Sequence, residues 1–321
     1  MSITIGIDIG GSSVEAVARS VDGAEILGRH QVRSTIDGGP SVVTAAVQAV
    51  GALGVEDVVG VGIGVPGHVD RDSGEVRLAV NLGIGTGGFG LADAVAAEID
   101  LPVTVENDVR AAVIGARESL RLGGQPVDNL ALVSIGTGIS AGVVADGALV
   151  RGATGMAGEI GHVVVNEDGP LCPCGQRGCL ETMSAGPAIG RAWPKGDSGV
   201  AATALFAAVL EGDPAARRVA DRVTSHLATA LVWLAATYDP ELIVLAGGVP
   251  SSGAVFLDVI REQITHRAAG SELAARRLRP DQVVLADISD PPGARGAAII
   301  AVDHLFKERV ILPAAKKANN Q

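Results

Sequence analysis

The sequence is poor in positive charge: 25 Lys and Arg stand against 36 Asp and Glu, a formal net charge of -11. The basic residues do not cluster, which excludes a nucleic-acid partner, because neutralising a phosphate backbone needs a basic surface. The acidity itself serves solubility. No apolar run reaches the roughly 20 residues of a membrane span without a charge or a turn residue, so no membrane partner is expected. No signal peptide is read, since two residues after Met1 the chain enters a strand pattern. A G-x-x-x-x-G-K-[ST] segment is missing, and Gly6, Gly10 and Gly11 are misplaced for G-x-G-x-x-G, so neither a P-loop nor a Rossmann fingerprint is present. Cysteine is scarce as well, three in 321 residues, and the spacing suits a metal rather than bridges, which points to a reducing cytoplasm.

What the chain has is apolar bulk and glycine. At 47% hydrophobic it can bury a large core, its length suggests two domains, and 44 glycines imply many tight turns. Residues 3–9 read as a strand with one acid, Asp8, and run into Gly10-Gly11-Ser12-Ser13. Residues 14–21, Asp22-Gly23 and residues 25–33 complete a meander. A helix is predicted over Pro40 to Leu53 and a buried strand over 58–65. The stretch 81–90 holds five glycines and reads as an exposed, mobile loop. A helix over Leu91 to Ile99 and a strand over Pro102 to Val105 lead to Glu106-Asn107-Asp108, either an N-cap cluster, with Asp108 as cap of the next helix, or a site.

A strand over 130–135 ends in Gly136-Thr137-Gly138, and the chain returns through 142–145, Asp146-Gly147 and 148–150. The pattern of strand, glycine turn, strand, Asp-Gly, strand thus occurs from Ile3 and again from Leu130, which suggests an internal duplication. Helices follow over 184–216 and over Arg217 to Tyr238, then a strand over Leu242 to Leu245 that turns at Gly247-Gly248. A helix over Gly253 to Arg267, a strand over Val283 to Ala286 and a helix over Gly293 to Phe306 close the fold, leaving 307–321 as a tail.

All three cysteines lie between Gly158 and Glu181, in the pattern His162-x9-Cys172-x-Cys174-x4-Cys179. Three thiolates and one imidazole are the ligand set of a closed, tetrahedral, structural Zn²⁺ site. The competing reading is free thiols, or one disulfide with a thiol left over. Glu159 and Glu181 flank the cluster. Elsewhere, the turns at Gly10-Gly11, Gly136-Thr137-Gly138 and Gly247-Gly248 are the kind that lets backbone N–H groups approach a phosphate chain, with Ser12 and Thr137 as further donors. Asp8 can hold a hydrated Mg²⁺ beside them.

DIGGS at 8–12, PG at 66–67, END at 106–108, GTG at 136–138, GEIGH at 158–162, CPCGQRGCLE at 172–181 and AGGV at 246–249 resemble the ROK family of sugar kinases over about residues 3–305. The resemblance implies an α/β, actin/hexokinase-like (ribonuclease H-like) duplicated fold of two lobes, 1–110 and 111–292, with ATP and sugar in the cleft between them. The closing helix would pack back on the first lobe. It implies a cytoplasmic, ATP- and Mg²⁺-dependent hexokinase, glucose its foremost substrate, that is a homodimer or homotetramer. Mannose, fructose, allose, N-acetylmannosamine and kanosamine are the other sugars considered, polyphosphate the other donor, and a catalytically silent sugar sensor the other class. Asp108 would be the general base, and Gly67, Asn81, Asn107, Glu159, His162 and Glu181 the hydroxyl-binding residues. Family repressors carry an added DNA-binding domain ahead of the first strand, and none is read here. The chain departs from the family pattern at Ser12, Ser13, Ser140 and Ile84, which bears on phosphate contacts and sugar fit.

Overall fold

Ile3, Ile5, Ile7 and Ile9 alternate with Thr4, Gly6 and Asp8, the two-residue period of a strand. In the computed structural model, which describes residues 1–11, 13–22, 25–33, 36–194, 201–287, 290 and 292–311, they form β1 (Ile3–Ile9), with the isoleucines buried on one face. The chain divides into two compact units: Met1–Glu118 with the closing helix (Pro292–Ile311), and residues 119–291. The division falls after Glu118, within a helix and beyond the boundary expected at 110.

The first unit adds β2 (Ser13–Ser20), β3 (Ile26–Arg33), α1 (Gly39–Leu53), β4 (Val58–Val65), β5 (His68–Asp70), β6 (Glu75–Arg77), β7 (Phe89–Gly90), α2 (Leu91–Ile99), β8 (Val103–Asn107) and α3 (Asp108–Leu122). Its main sheet has the order β3-β2-β1-β4-β8, antiparallel through the β1–β3 meander and parallel from β1 to β8. The Asp22-Gly23 turn expected between β2 and β3 includes Gly23, which lies outside the described residues, as does Ser12. α1 and α2 cover one face through Val42, Ala46, Leu91 and Val95. The closing helix covers the other, and there the strands carry glycine: a Cβ at Gly6 would overlap the Ala294 carbonyl, and one at Gly62 the Ala297 carbonyl. Gly115 of α3 and Gly296 of the closing helix meet backbone in the same way. Gly62→Ala is therefore expected to destabilise the protein by about 1–3 kcal/mol through overpacking, read as a lower urea midpoint; an unchanged midpoint would mean the helix does not rest on this strand.

The stretch 81–90 is exposed at most of its positions, as its glycines suggest, but it is not irregular throughout. A 3-10 turn at Val80–Leu82, a bridge between Ala79 and Ile84, and β7 order it. Leu82 and Ile84 are buried in the first unit's core, because their apolar side chains gain more from burial than the glycines cost in chain entropy. Ile84, noted as a departure bearing on sugar fit, is thus a core residue.

The second unit holds β9 (Leu130–Ile135), β10 (Ile139–Ala145), β11 (Ala148–Leu149), α4 (Leu180–Ser184), α5 (Gly186–Ala192), α6 (Ala201–Leu210), α7 (Pro214–Tyr238), β12 (Leu242–Ala246), α8 (Ala254–Ala268), α9 (Glu272–Arg277) and β13 (Val283–Leu285). Its sheet order is β11-β10-β9-β12-β13, again an antiparallel meander joined to parallel strands. The two sheets share one topology, so β1–β3 and β9–β11 are the two copies of the repeated unit. α7 begins at a cap in which Asp213 accepts from the Ala215 and Ala216 amides, with Pro214 at its first position. Phe206 of α6 and Phe256 of α8 meet edge to face, centroids 5.2 Å apart, at the centre of this core. No helix among the described residues is long and apolar enough to cross a membrane.

Candidate active site

Sheet register brings the first cluster together. Asp8 of β1 lies beside Gly64 of β4, and Gly64 beside Glu106 of β8, so the carboxyl ends of three strands line up where α3 begins. Binding sites favour such strand ends. Asn107, not Asp108, caps α3: its Oδ1 accepts from the amides of Val109 and Arg110 at 3.1 and 3.2 Å, while Asp108 is already the first helical residue. The strand simply runs two residues further than the sequence indicates, which moves the cap back by one. Asn107 Nδ2 donates to the Gly67 carbonyl at 3.2 Å. Gly67 has φ +97°, and a Cβ there would press on Arg77 and Ala79. Asn81 sits against Gly11, whose turn closes through Gly10 N–H to the Ser13 carbonyl at 2.9 Å. Beneath this group lies a feature the sequence did not announce, a buried Glu106–Arg110 pair at 2.8 Å, with Glu106 Oε1 also accepting from the Asn107 amide at 3.0 Å. The i,i+4 spacing of the two charges is the signal that points to it.

Asp8 is hemmed by small residues: a Cβ at Gly64 would touch Oδ1, and one at Gly293 would overlap Oδ2. Burial foremost, then the charges of Asp108 and Glu15, push its carboxyl up to about 8. A carboxylate so disfavoured, in a cradle that only glycine leaves open, fits a divalent cation, and Asp8 would hold a hydrated Mg²⁺. With its folded-state value raised above 3.8, Asp8 contributes most to stability when protonated, and that contribution fades as pH rises from about 4 to about 8. In metal-free buffer Asp8→Asn is expected to raise the melting temperature at pH 8 and leave it nearly unchanged at pH 4, while abolishing turnover. A parent and variant that melt together at pH 8 would contradict this.

In the second unit, Gly136 N–H donates to the Gly138 carbonyl at 3.0 Å and closes a tight turn between β9 and β10, with Thr137 exposed at its tip. Gly186 N–H, at the start of α5, donates to the Gly136 carbonyl at 2.8 Å. The second turn adjoins it: Gly247 has φ +99° and packs on Ile135, and Val249 N–H donates to the Ile135 carbonyl at 3.0 Å. Beside Gly247, at the carboxyl ends of β12 and β13, opens a cavity of about 270 Å³ lined by Leu245, Pro250, Leu285 and Asp287 among others.

The GEIGH segment lies along β10, where Gly158 and Gly161 press on the Ala141 and Ile139 carbonyls. It ends in a 3-10 turn, Ile160–His162, preceded by Glu159. His162 and the three cysteines converge, each offering a ligand atom within 4.8 Å of the others. His162 Nδ1 is 3.6 Å from Cys172 Sγ, and Cys174 Sγ is 3.6 Å from Cys179 Sγ. A tetrahedron with Zn–S bonds of about 2.3 Å has edges near 3.7 Å, so the set fits zinc. The three cysteines are free thiols, against the disulfide alternative. Burial raises the Cys172 and Cys179 thiols, while hydrogen bonds from Gln176 bring Cys174 down to about 6. Glu181, in the first turn of α4, accepts from Cys172 Sγ at 3.1 Å and lies 3.7 Å from His162 Nδ1. One carboxylate therefore packs directly against the ligand set. Glu159 is held to the same segment by chain connection.

The ROK family profile matches residues 4–304. A glucokinase of Halalkalibacterium halodurans is 34% identical over 281 residues, 80% of this chain and 84% of that protein. An N-acetylmannosamine kinase of Yersinia pestis is 31% identical over 245 residues, 76% of this chain and 82% of that one. Among solved structures, a ROK family glucokinase from Streptomyces griseus in complex with glucose and AMPPNP matches at a TM-score of 0.77 and 31% identity, covering 94% of this chain and 100% of that one. The two sheets of common order are the duplicated α/β architecture of the actin/hexokinase-like fold. The match runs from β1 into the closing helix, and the chain belongs to the ROK family.

Proposed function

We propose that this chain, a sugar kinase of the ROK family, transfers the γ-phosphoryl group of ATP to the 6-hydroxyl of glucose. The observation that carries the reading is the pair Asp8 and Asp108, which flank Gly64 at the carboxyl end of the first sheet. They divide two tasks. Asp8 would hold Mg²⁺, which when bound offsets phosphate charge. Asp108 takes the proton from the sugar hydroxyl as its oxygen bonds to the γ-phosphorus and the bond to the β-phosphate oxygen breaks, releasing ADP. Because Asn107 caps α3, Asp108 is not needed as the cap.

Gly67, Asn81 and Asn107 would hold sugar hydroxyls in the first unit, and Glu159, His162 and Glu181 would do so in the second. Zinc on His162, Cys172, Cys174 and Cys179 would be structural and keep the imidazole and the Glu181 carboxylate oriented. Gly10, Gly11 and Ser12 and the turns at Gly136-Thr137-Gly138 and Gly247-Gly248 would present N–H and hydroxyl donors to the phosphates. The cavity beside Gly247 is of a size for the nucleotide's base. Ordered positioning of this kind supplies most of the rate in phosphoryl transfer.

The glucokinase relatives support glucose, and the N-acetylmannosamine kinase at 31% identity supports a second reading, that amino sugar as substrate. ADP release with Mg-ATP and glucose, followed by phosphorus NMR of the product, tests the reaction. A 6-phosphate is expected from glucose and no ADP from 6-deoxyglucose. ADP release from the deoxy sugar would overturn the assignment of the 6-hydroxyl.

A further inference from the structure

Away from the candidate site, α7 and α8 of the second unit build a basic hollow. Arg222, Ser225, His226 and Thr229 recur at helical spacing along one side of α7, and Gln263, His266 and Arg267 along α8. Between the helices opens a cavity of about 660 Å³ lined by Asp221, Arg222, Ser225, Gln263, His266 and Arg267. The Arg267 guanidinium is partly buried, and every hydrogen-bond partner it has among the described residues is neutral. Nη2 donates to the Ser225 carbonyl at 2.6 Å, Ser225 Oγ at 2.8 Å and Thr229 Oγ1 at 3.1 Å, and Nη1 reaches the Gln263 carbonyl and Oε1 at 3.4 Å. Arg222 makes no hydrogen bond or ion pair among the described residues. Among the described residues Asp221 is the one carboxylate of the lining, and its Oδ1 is engaged by Arg217 Nε at 2.9 Å and Gln263 Nε2 at 3.3 Å. The imidazole of His226 is held below its ordinary value by burial first and then by the charges of Arg267 and Arg222, so the local field is positive in a chain whose net charge is -11.

A partly buried guanidinium without a counter-charge carries an uncompensated desolvation cost. The terminal nitrogens of Arg267 are spent on those neutral acceptors, so it acts on an anion through its charge, while the uncommitted planar fork of Arg222 matches the oxygens of a phosphoryl group. We propose that the α7/α8 hollow is an anion site for a phosphoryl group, either inorganic phosphate or the phosphate of a phosphomonoester, with Arg222 and Arg267 as its charged contacts and His266 at its rim.

Calorimetry on the full-length chain with sodium phosphate, and separately with glucose 6-phosphate, at matched ionic strength tests this. The parent is expected to bind, and Arg222→Ala, an exposed position, to weaken that binding about tenfold or more, as loss of a charge-assisted contact does. Its melting temperature without ligand and its kcat for sugar should stay at the parent's values. Arg267→Gln supplies a second, independent loss. Equal losses toward both probes identify the phosphate group alone as what is read, and a larger loss toward the ester identifies the phosphomonoester as the occupant. No binding by the parent, or undiminished binding of both probes by both variants, overturns the site.

Discussion

Asp108→Asn is expected to lower kcat by about 10²- to 10⁴-fold, the usual contribution of a positioned general base, and to leave the KM for sugar within a few-fold of the parent. Asparagine keeps the shape at the first position of α3 and can still bond to a hydroxyl, but it cannot accept the proton. The cap on α3 belongs to Asn107, and the turn beneath is held by the buried Glu106–Arg110 pair, so the substitution should leave the helix start intact. Neutralising Asp108 also removes one of the charges that raise the Asp8 carboxyl, so folding stability in metal-free buffer should rise slightly near pH 8. Circular dichroism and steady-state kinetics on one preparation check both parts. Turnover within tenfold of the parent would remove Asp108 from the proposed chemistry.

Cys174→Ala is expected to release the metal and to raise the KM for sugar by about 10- to 100-fold, the range seen when groups that orient a site are lost. Glu181 touches both Cys172 Sγ and His162 Nδ1, so loosening the ligand set loosens a carboxylate proposed to hold sugar. Gly178 is locked against the Asn166 carbonyl and Gly175 N–H against the Cys172 carbonyl, and metal loss takes away the centre around which these turns close. Dialysis of the parent against a chelator should produce the same rise, with zinc and not magnesium restoring it. Elemental analysis comes first: the account requires about one zinc per chain, and a purified protein without zinc whose KM ignores chelators would end the structural-metal claim.

The parts of the fold that were legible in the sequence are those written in short-range pattern. The β1–β3 and β9–β11 meanders show as alternation broken by glycine, and the His162 and cysteine spacing announces a ligand set that the folded loop brings within 4.8 Å. What was not legible depends on partners distant in sequence. Gly6 and Gly62 read only as small residues inside strands, yet their missing side chains admit the closing helix some 230 residues or more further on. Leu82 and Ile84 look like passengers in a glycine loop until the core that covers them is known. The cap of α3 shifts from Asp108 to Asn107 because β8 runs through Asn107, a matter of two residues that pairing with β4 decides and local propensity does not.

The most direct test of the account is the ratio of kcat/KM for glucose to that for N-acetylmannosamine, measured by coupled ADP release with Mg-ATP on zinc-replete protein. Glucose is predicted to lead clearly, with a 6-phosphate as product. A lead for N-acetylmannosamine would keep the kinase and replace its sugar, and no turnover of either would contradict the account.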